Sequence, residues 1–427
     1  VRRPRADGHG ALGGRTPIPG FAVCRTAGPA PGDRMEIMRR AVVFLLLLSA
    51  GCTAPEPPRR PAPPVSSVTP SAPVTPQWTG TWAAAVQGDG RAFDDHTLRQ
   101  IVHTSIGGHA ARLHLTNEFG TRPLTIGSAG LGAHRAVTFG GRPSVTIPVG
   151  GSAVSDEVPF VVPADADVAV TLYLPAATGP STRHPVASRR NWVAAGEQVF
   201  ATRLTGARAE RSWYFLSGLD VRGGAGAVVA FGASITDGLG SPFGGDRRWP
   251  DLLSDRLRAS GREIGVLNTG LSGNRLTADE HGERAPARFA RDVLRRAGVR
   301  WVIISDDALN DLGAADPPPA GRLIAGLREL ITRAHAAGVR VICSTLTPYE
   351  GAGYWTSGGE AGRAAVNTFL RSPGSGCDAV LDQDEALRDP ARPARFLRRY
   401  DSGDHLHPSA AGLQAIADAV DLRWFAP

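Results

Sequence analysis

Ser234 stands in "GASITDG" at the end of the apolar run "GAVVAFG", where a buried strand meets a polar turn. A serine hydroxyl is a weak nucleophile until a base takes its proton and donors are ready for the oxyanion that its attack creates. The chain holds candidates for both. In "DSGDHLHP", Asp404 and His407 are three residues apart on a tight turn, a spacing that lets one carboxylate orient one imidazole and that Asp401 does not offer. Gly273, in "NTGLSGNRL", can bring a backbone N–H close to a ligand, and Asn310, in "ALND", offers a side-chain amide. With the N–H of Ser234 they would make three oxyanion donors. Each has a structural alternative: turn serine, turn glycine, helix-capping asparagine, surface histidine. Two familiar chemistries are excluded by spacing. "GASIT" lacks the second glycine of a GxSxG elbow, and it lacks the GxGxxG or GxxxxGK pattern that cradles phosphates. His405 and His407 form an HxH pair, but no third ligand stands nearby at metal spacing, so neither metal nor cofactor is expected.

Such residues need a scaffold that gathers strand ends. Between 225 and 427 the runs "GAVVAFG", "EIGVLN", "RWVIIS", "VRVICST" and "DAVLD" are short and continuously apolar, as strands covered on both faces are. Helical patterns separate them. In "AGRLIAGLRELITRAHAAG", Leu323, Ile324, Leu327, Leu330, Ile331 and Ala334 recur at helical spacing, and Gly338 stands where a helix end favours positive φ. This alternation predicts an α/β domain with a parallel sheet, whose ligands bind beyond the carboxyl ends of the strands. Ser234, Gly273 and Asn310 each follow such a strand.

Residues 78–222 have a different period. Alternating runs such as "ARLHLTNEF", "PSVTIPV" and "DVAVTLYLP", broken by Gly, Pro and Asp turns, predict an all-β sandwich. Leu113 and Leu115 face one side, Arg112, His114 and Thr116 the other. Here His103, Arg112 and His114 are expected to share one alternating strand face, solvated rather than bound to sugar hydroxyls. Trp192, Trp213 and Tyr214 are expected to pack in the core rather than stack on a sugar.

The blocks "FGASITDG", "NTGLSGNRL", "ALND" and "DHLHP", in this order and at predicted strand ends, resemble those of the SGNH (GDSL) hydrolase family. The resemblance covers roughly 225 to 425 and implies a three-layer α/β/α catalytic domain. It implies Ser234 as nucleophile, His407 as base, Asp404 as its orienting partner, and an oxyanion hole of Ser234, Gly273 and Asn310. Residues 78–222 look like the N-terminal domain of a subgroup resembling xylan-associated acylesterases. Two positions depart from the family pattern: Ala233 replaces the Asp of GDS, and Ala308, which would narrow the acyl pocket, replaces the Gly of GxND. Asp306 and Asp307 are expected to be solvated turn carboxylates rather than substitutes for the missing Asp. The activity implied is hydrolysis of acetyl or other short acyl esters, on polysaccharide, through an acyl-enzyme. The alternatives are a lipase or arylesterase for small lipophilic esters, and a non-catalytic glycan-binding surface lipoprotein.

Charge and leader signals complete the expectation. The formal charge is +7, but residues 1–76 hold ten Arg against four acids, leaving +1 for the remainder. A near-neutral body argues against binding to a nucleic-acid backbone, which needs clustered cations on a folded surface. Residues 1–34 read as an upstream extension outside the native protein. Residues 35–52, with Arg39 and Arg40 ahead of "AVVFLLLLSA", read as a signal peptide ending in the lipobox-like "LLSAGC". Residues 53–77 form a Pro-rich linker. Export as a secreted protein, or as a surface lipoprotein anchored through Cys52, is therefore expected. Cys343 and Cys377 fall beside neighbouring predicted strands, and both a disulfide and two buried free thiols fit that placement.

Overall fold

The computed structural model describes residues 77–132 and 135–426, all within one compact unit spanning 71–427. The expected upstream extension, leader, lipobox-like Cys52 and all of the linker but Gln77 lie outside the described residues.

Between 77 and 222 the described residues form strands and no helix. One antiparallel sheet has four strands, in the spatial order Trp78–Ala83, Leu216–Arg222, Ala111–Thr116, Ser152–Val154. Another has six, centred on the nine-residue strands His96–Thr104 and Ala166–Leu174, which pair antiparallel along their whole length. Their inward residues form one apolar cluster: Leu113, Leu115, Leu219 and Val221 from the first, Leu98, Val102, Val170 and Leu172 from the second. This is the expected sandwich, built by alternation of buried and partly exposed positions.

The second region is the expected α/β domain. Its five-stranded parallel sheet has the order Gly265–Gly270, Ala227–Gly232, Val299–Ile304, Arg340–Ser344, Ala379–Leu381. Every residue of the Ala227–Gly232 strand is buried, because helices cover the sheet on both faces. Helix Trp249–Ala259 packs against Ala410–Ala419, and Ala320–Ala336 against Ser357–Arg371. The Ala320–Ala336 helix buries Leu323, Leu327, Leu330, Ile331 and Ala334 of the stripe read from the sequence, with Ile324 half-buried, and Gly338 follows it with φ 71°. Cys343, in the Arg340–Ser344 strand, forms a disulfide with Cys377, just ahead of the neighbouring Ala379–Leu381 strand, with Cα atoms 5.7 Å apart.

The sandwich and the α/β region meet closely. Gly80 donates its N–H to Ala297 O at 2.9 Å, and a Cβ on Gly265 would lie 2.0 Å from Gly80 O. Only glycine at 265 permits this approach of two backbones.

Candidate active site

The carboxyl ends of three neighbouring strands bring the predicted residues together. Ser234 opens a four-residue helical turn, Ser234–Asp237, directly after the Ala227–Gly232 strand. His407 Nε2 is 2.9 Å from Ser234 Oγ, and His407 Nδ1 is 2.6 Å from Asp404 Oδ2. A carboxylate can only accept, so Nδ1 carries the ring proton and Nε2 is left to accept from the serine. Asp404 Oδ1 also accepts from Ser402 Oγ and from the backbone N–H groups of Leu406 and His407, each at 2.9 Å. Burial would raise the Asp404 carboxyl, but the bonds from His407 and the turn outweigh it and hold it well below the usual carboxylate range. Ser409 caps the following helix by accepting from Gly412 N–H, which fixes the end of the His407 turn.

Gly273 has φ 80°, and a Cβ there would lie 2.7 Å from the His281 ring, so both conformation and space select glycine. Among the described residues neither Ser234 N–H nor Gly273 N–H has an acceptor. Asn310 lies in helix Asp307–Leu312 and donates one amide N–H to Asn274 O at 2.9 Å, leaving the other available. Its neighbour Asp311 accepts from Leu276 N at 2.6 Å and Thr277 N at 3.0 Å, so the helix grips the Gly273 loop from both sides of the Asn310–Asp311 pair. Burial raises the Asp311 carboxyl above its ordinary value despite these bonds.

Two expectations about acidic residues are corrected. Asp306 and Asp307 are not solvated; each is only 3% exposed. Asp306 accepts from Ile235 N at 2.8 Å and from Thr236 Oγ1 at 2.5 Å. It thereby supplies, from the adjoining strand end, the acceptor that the turn behind Ser234 would otherwise lack, since Ala233 has none. Asp307 meets the fully buried Arg288 at 2.9 Å. The Arg288 guanidinium also donates to Asn274 Oδ1, Thr269 O and Gly232 O, and lies over the Phe231 ring. One side chain thus ties together the ends of two strands and the Gly273 loop. Ala308 is buried in the apolar cluster of the α/β region.

In the sandwich, His103 and the pair Arg112 and His114 are on different strands rather than one. His103 pairs with Asp165 and Asp167, while Arg112 and His114 both bind Asp220. Trp213 and Tyr214 are buried, as expected of core residues, and Trp192 is half-buried. His405 pairs with Asp401 at 2.5 Å, a second histidine–aspartate contact beside the first. Among the described residues one group of three potential metal ligands comes together, His103, Asp167 and Asp246. Arg189 donates to both carboxylates and already supplies the positive charge there.

The arrangement can perform acyl transfer: a serine hydroxyl, a base aimed at it, a carboxylate behind the base, and unpaired donors beside it. Residues important to it that sequence reasoning passed over are Arg288, Asp311, Asp237 and His184. Asp311 carried a local signal in its adjacency to Asn310, and Asp237 in its place within "FGASITDG"; Arg288 and His184 carried none.

The family comparison agrees with this chemistry. Residues 230–415 match the model of the GDSL-like lipase/acylhydrolase family. Solved structures similar to the chain include the aryl esterase of M. smegmatis, at 18% identity over 46% of this chain and 96% of that one, with a TM-score of 0.38. A carbohydrate acetylesterase from Sinorhizobium meliloti is 15% identical over 45% of this chain and 95% of that one, with a TM-score of 0.37. A variant of an acetyl-xylooligosaccharide esterase from Geobacillus is 22% identical over 47% and 94%, with a TM-score of 0.35. No curated protein matches the chain. The family match spans the strand ends, the helix that carries Asn310 and the turn of Asp404 and His407. Residues 230–415 are a domain of the GDSL-like lipase/acylhydrolase family, and the protein that carries it is a carboxylic ester hydrolase.

Proposed function

We propose that the protein is an exported serine esterase that removes acetyl or other short acyl groups from polysaccharide through an acyl-enzyme. The observation that carries the catalytic part is the bridge of His407 between Ser234 Oγ, at 2.9 Å, and Asp404, at 2.6 Å. His407 Nε2 takes the Ser234 proton as Oγ attacks the ester carbonyl carbon. Asp404, held ionised by its bonds, orients the ring and offsets the charge of the imidazolium. The N–H groups of Ser234 and Gly273 and the free N–H of Asn310 receive the carbonyl oxygen as it becomes an oxyanion. Collapse expels the alcohol, which takes the proton from Nε2. Water then attacks the acyl-serine with His407 again as base, and the acid leaves with Ser234 restored.

The Cys343–Cys377 disulfide supports export, since such bonds persist in oxidising compartments. Anchoring through Cys52 rests on the lipobox-like "LLSAGC". Preference for a polysaccharide is suggested by the appended sandwich and by the resemblance to acylesterases of carbohydrates.

The test is hydrolysis of p-nitrophenyl acetate and butyrate, and release of acetate from acetylated xylan, by the full chain and by Ser234→Ala. Activity that favours the shorter ester and falls by at least about ten-thousandfold in the variant is expected. Equal rates from the two folded proteins would overturn the catalytic assignment, and activity confined to long-chain esters would overturn the substrate class.

A further inference from the structure

The oxyanion loop is held in part from outside the α/β region. Asp237, the last residue of the turn that Ser234 opens, is 1% exposed. Its Oδ2 accepts from Ser272 Oγ at 2.6 Å and from Ser272 N at 3.1 Å. Ser272 immediately precedes Gly273, so these bonds hold the residue from which the peptide bearing the Gly273 N–H extends. The Oδ1 of the same carboxylate faces His184 Nε2 at 3.1 Å. His184 belongs to the sandwich: it ends the strand Ser181–His184 and is 2% exposed.

The surroundings of His184 leave it little freedom. Nδ1 is 2.8 Å from Ala85 O, and Nε2 is 3.1 Å from both Val186 O and Asp237 Oδ1. All three partners are acceptors, so any N–H that the ring carries is aimed at one of them. One face lies against Trp213 at 5.5 Å, and Trp213 is itself pinned by donation from Nε1 to Ile101 O at 2.8 Å. A buried carboxylate with a missing donor turns toward other partners or draws in water, because an unmatched buried charge is costly. Removal of His184 would therefore release Asp237 from one side and loosen its hold on Ser272.

We infer that His184 and Asp237 are positioning residues, through which the sandwich sets the Gly273 N–H of the oxyanion site. The inference rests on the proposed role of Gly273. It gives the sandwich a part in the chemical step, distinct from holding substrate. Neither residue touches the reacting atoms. Their effect belongs to the transition state, where the oxyanion forms, so kcat should fall while KM stays near its original value.

The experiment compares His184→Ala, His184→Gln and Ser272→Ala in the full chain, with Ser234→Ala as reference. Folding is followed by circular dichroism, turnover by p-nitrophenyl acetate, and occupancy of the oxyanion site by inhibition with a boronic acid, whose serine adduct is tetrahedral. His184→Ala and Ser272→Ala should each lower kcat by roughly 10- to 100-fold with KM within about twofold, and weaken the boronic acid by a similar factor. His184→Gln, which restores a donor toward Asp237, should recover part of the loss. Should His184→Ala fail to fold, Ser272→Ala decides, since it leaves the sandwich untouched. Unchanged kcat and unchanged boronic-acid inhibition in folded Ser272→Ala would overturn the inference. Full activity of Ser234→Ala would instead overturn the serine-esterase reading on which it rests, so the two failures are separable.

Discussion

The faces of the sandwich and the carboxyl edge of the parallel sheet treat their polar groups in different ways. In the sandwich, charged side chains close on acceptors: Arg112 and His114 on Asp220, His103 on Asp165 and Asp167, and Arg99 on the carbonyls of Val199 and Ala201. At the carboxyl edge of the parallel sheet, Ser234 N–H, Gly273 N–H and one N–H of Asn310 stay open. A parallel sheet ends its strands together on one side, so backbone donors that no neighbouring strand satisfies collect at one place. An antiparallel sheet scatters its strand ends and pairs side chains across its faces. On the proposed mechanism reactivity follows the open donors, whereas stability follows the closed ones.

The sharpest way to test that difference is to remove one group of each kind. Asn310→Ala deletes an open donor and should lower kcat by about 100- to 1000-fold with little change in KM, measured on p-nitrophenyl acetate. Arg112→Met, which deletes a closed group in the sandwich, should leave kcat unchanged and lower the melting temperature. If Asn310→Ala retains full kcat, the amide serves only to grip Asn274 O and the contrast between the regions collapses to one of packing.

How far the sequence reveals each region follows the same division. The α/β architecture and the ends of its strands are legible because they arise from local signals: continuous apolar runs, a helical stripe ending at Gly338, and short motifs at strand ends. The turn with Asp404 and His407 is legible because the two lie three residues apart. Contacts made across long separations leave no such trace. His184 meets Asp237 over a separation of 53 residues, and Asp306 reaches Ile235 over 71. Read locally, Asp306 and Asp307 look like two acids in a turn, and only the neighbouring strand shows that they are covered. Arg288 is one of 47 basic residues, with nothing in its own segment to mark it as the buried centre of the site. The pairing of Cys343 with Cys377 is open in the sequence because neighbouring apolar segments accommodate thiols as readily as a bridge.

That bridge supplies a second test. It closes a span of 34 residues, from the fourth strand of the parallel sheet to the segment just ahead of the fifth, and joins no part of the sandwich. By the chain-entropy argument, Cys343→Ser with Cys377→Ser should cost about 3 to 4 kcal/mol of unfolding free energy. The loss should appear in denaturant unfolding followed by a probe in the α/β region, with reduction of the native protein reproducing it. If the sandwich unfolds at an equally lowered midpoint, the two regions unfold as one cooperative unit and the contrast between them is confined to chemistry.

Two buried carboxylates carry the contrast to its smallest expected effect. Burial raises Asp220 in the sandwich, but the bonds from His114 and Arg112 outweigh it and leave the carboxyl below its ordinary value. Burial raises Asp307 in the α/β region, Arg288 offsets only part of the rise, Asp306 adds to it, and the carboxyl is pushed up to about 7. Its Oδ2 has no hydrogen-bond partner, unlike the closed Asp220. The signs of the pH dependence therefore oppose. Asp220 contributes stability that is present above the unfolded carboxylate value and is lost as pH falls through its lower folded value. Asp307 binds its proton more tightly folded than unfolded, so its contribution is full at about pH 4 and is lost as pH rises toward about 7. Asp220→Asn should thus be less stable than the parent at pH 8, by on the order of 1 to 2 kcal/mol, with the gap closing in acid. Asp307→Asn, whose amide mimics the protonated acid, should match the parent at about pH 4, exceed it increasingly as pH rises, and be the more stable at pH 8 by at least a similar amount. Parallel pH profiles for the two variants in urea unfolding would show that Arg288 satisfies Asp307 as fully as Arg112 and His114 satisfy Asp220. The strand-end network would then be as closed as the sandwich, and the open character of the site would reside in its three unpaired N–H groups alone.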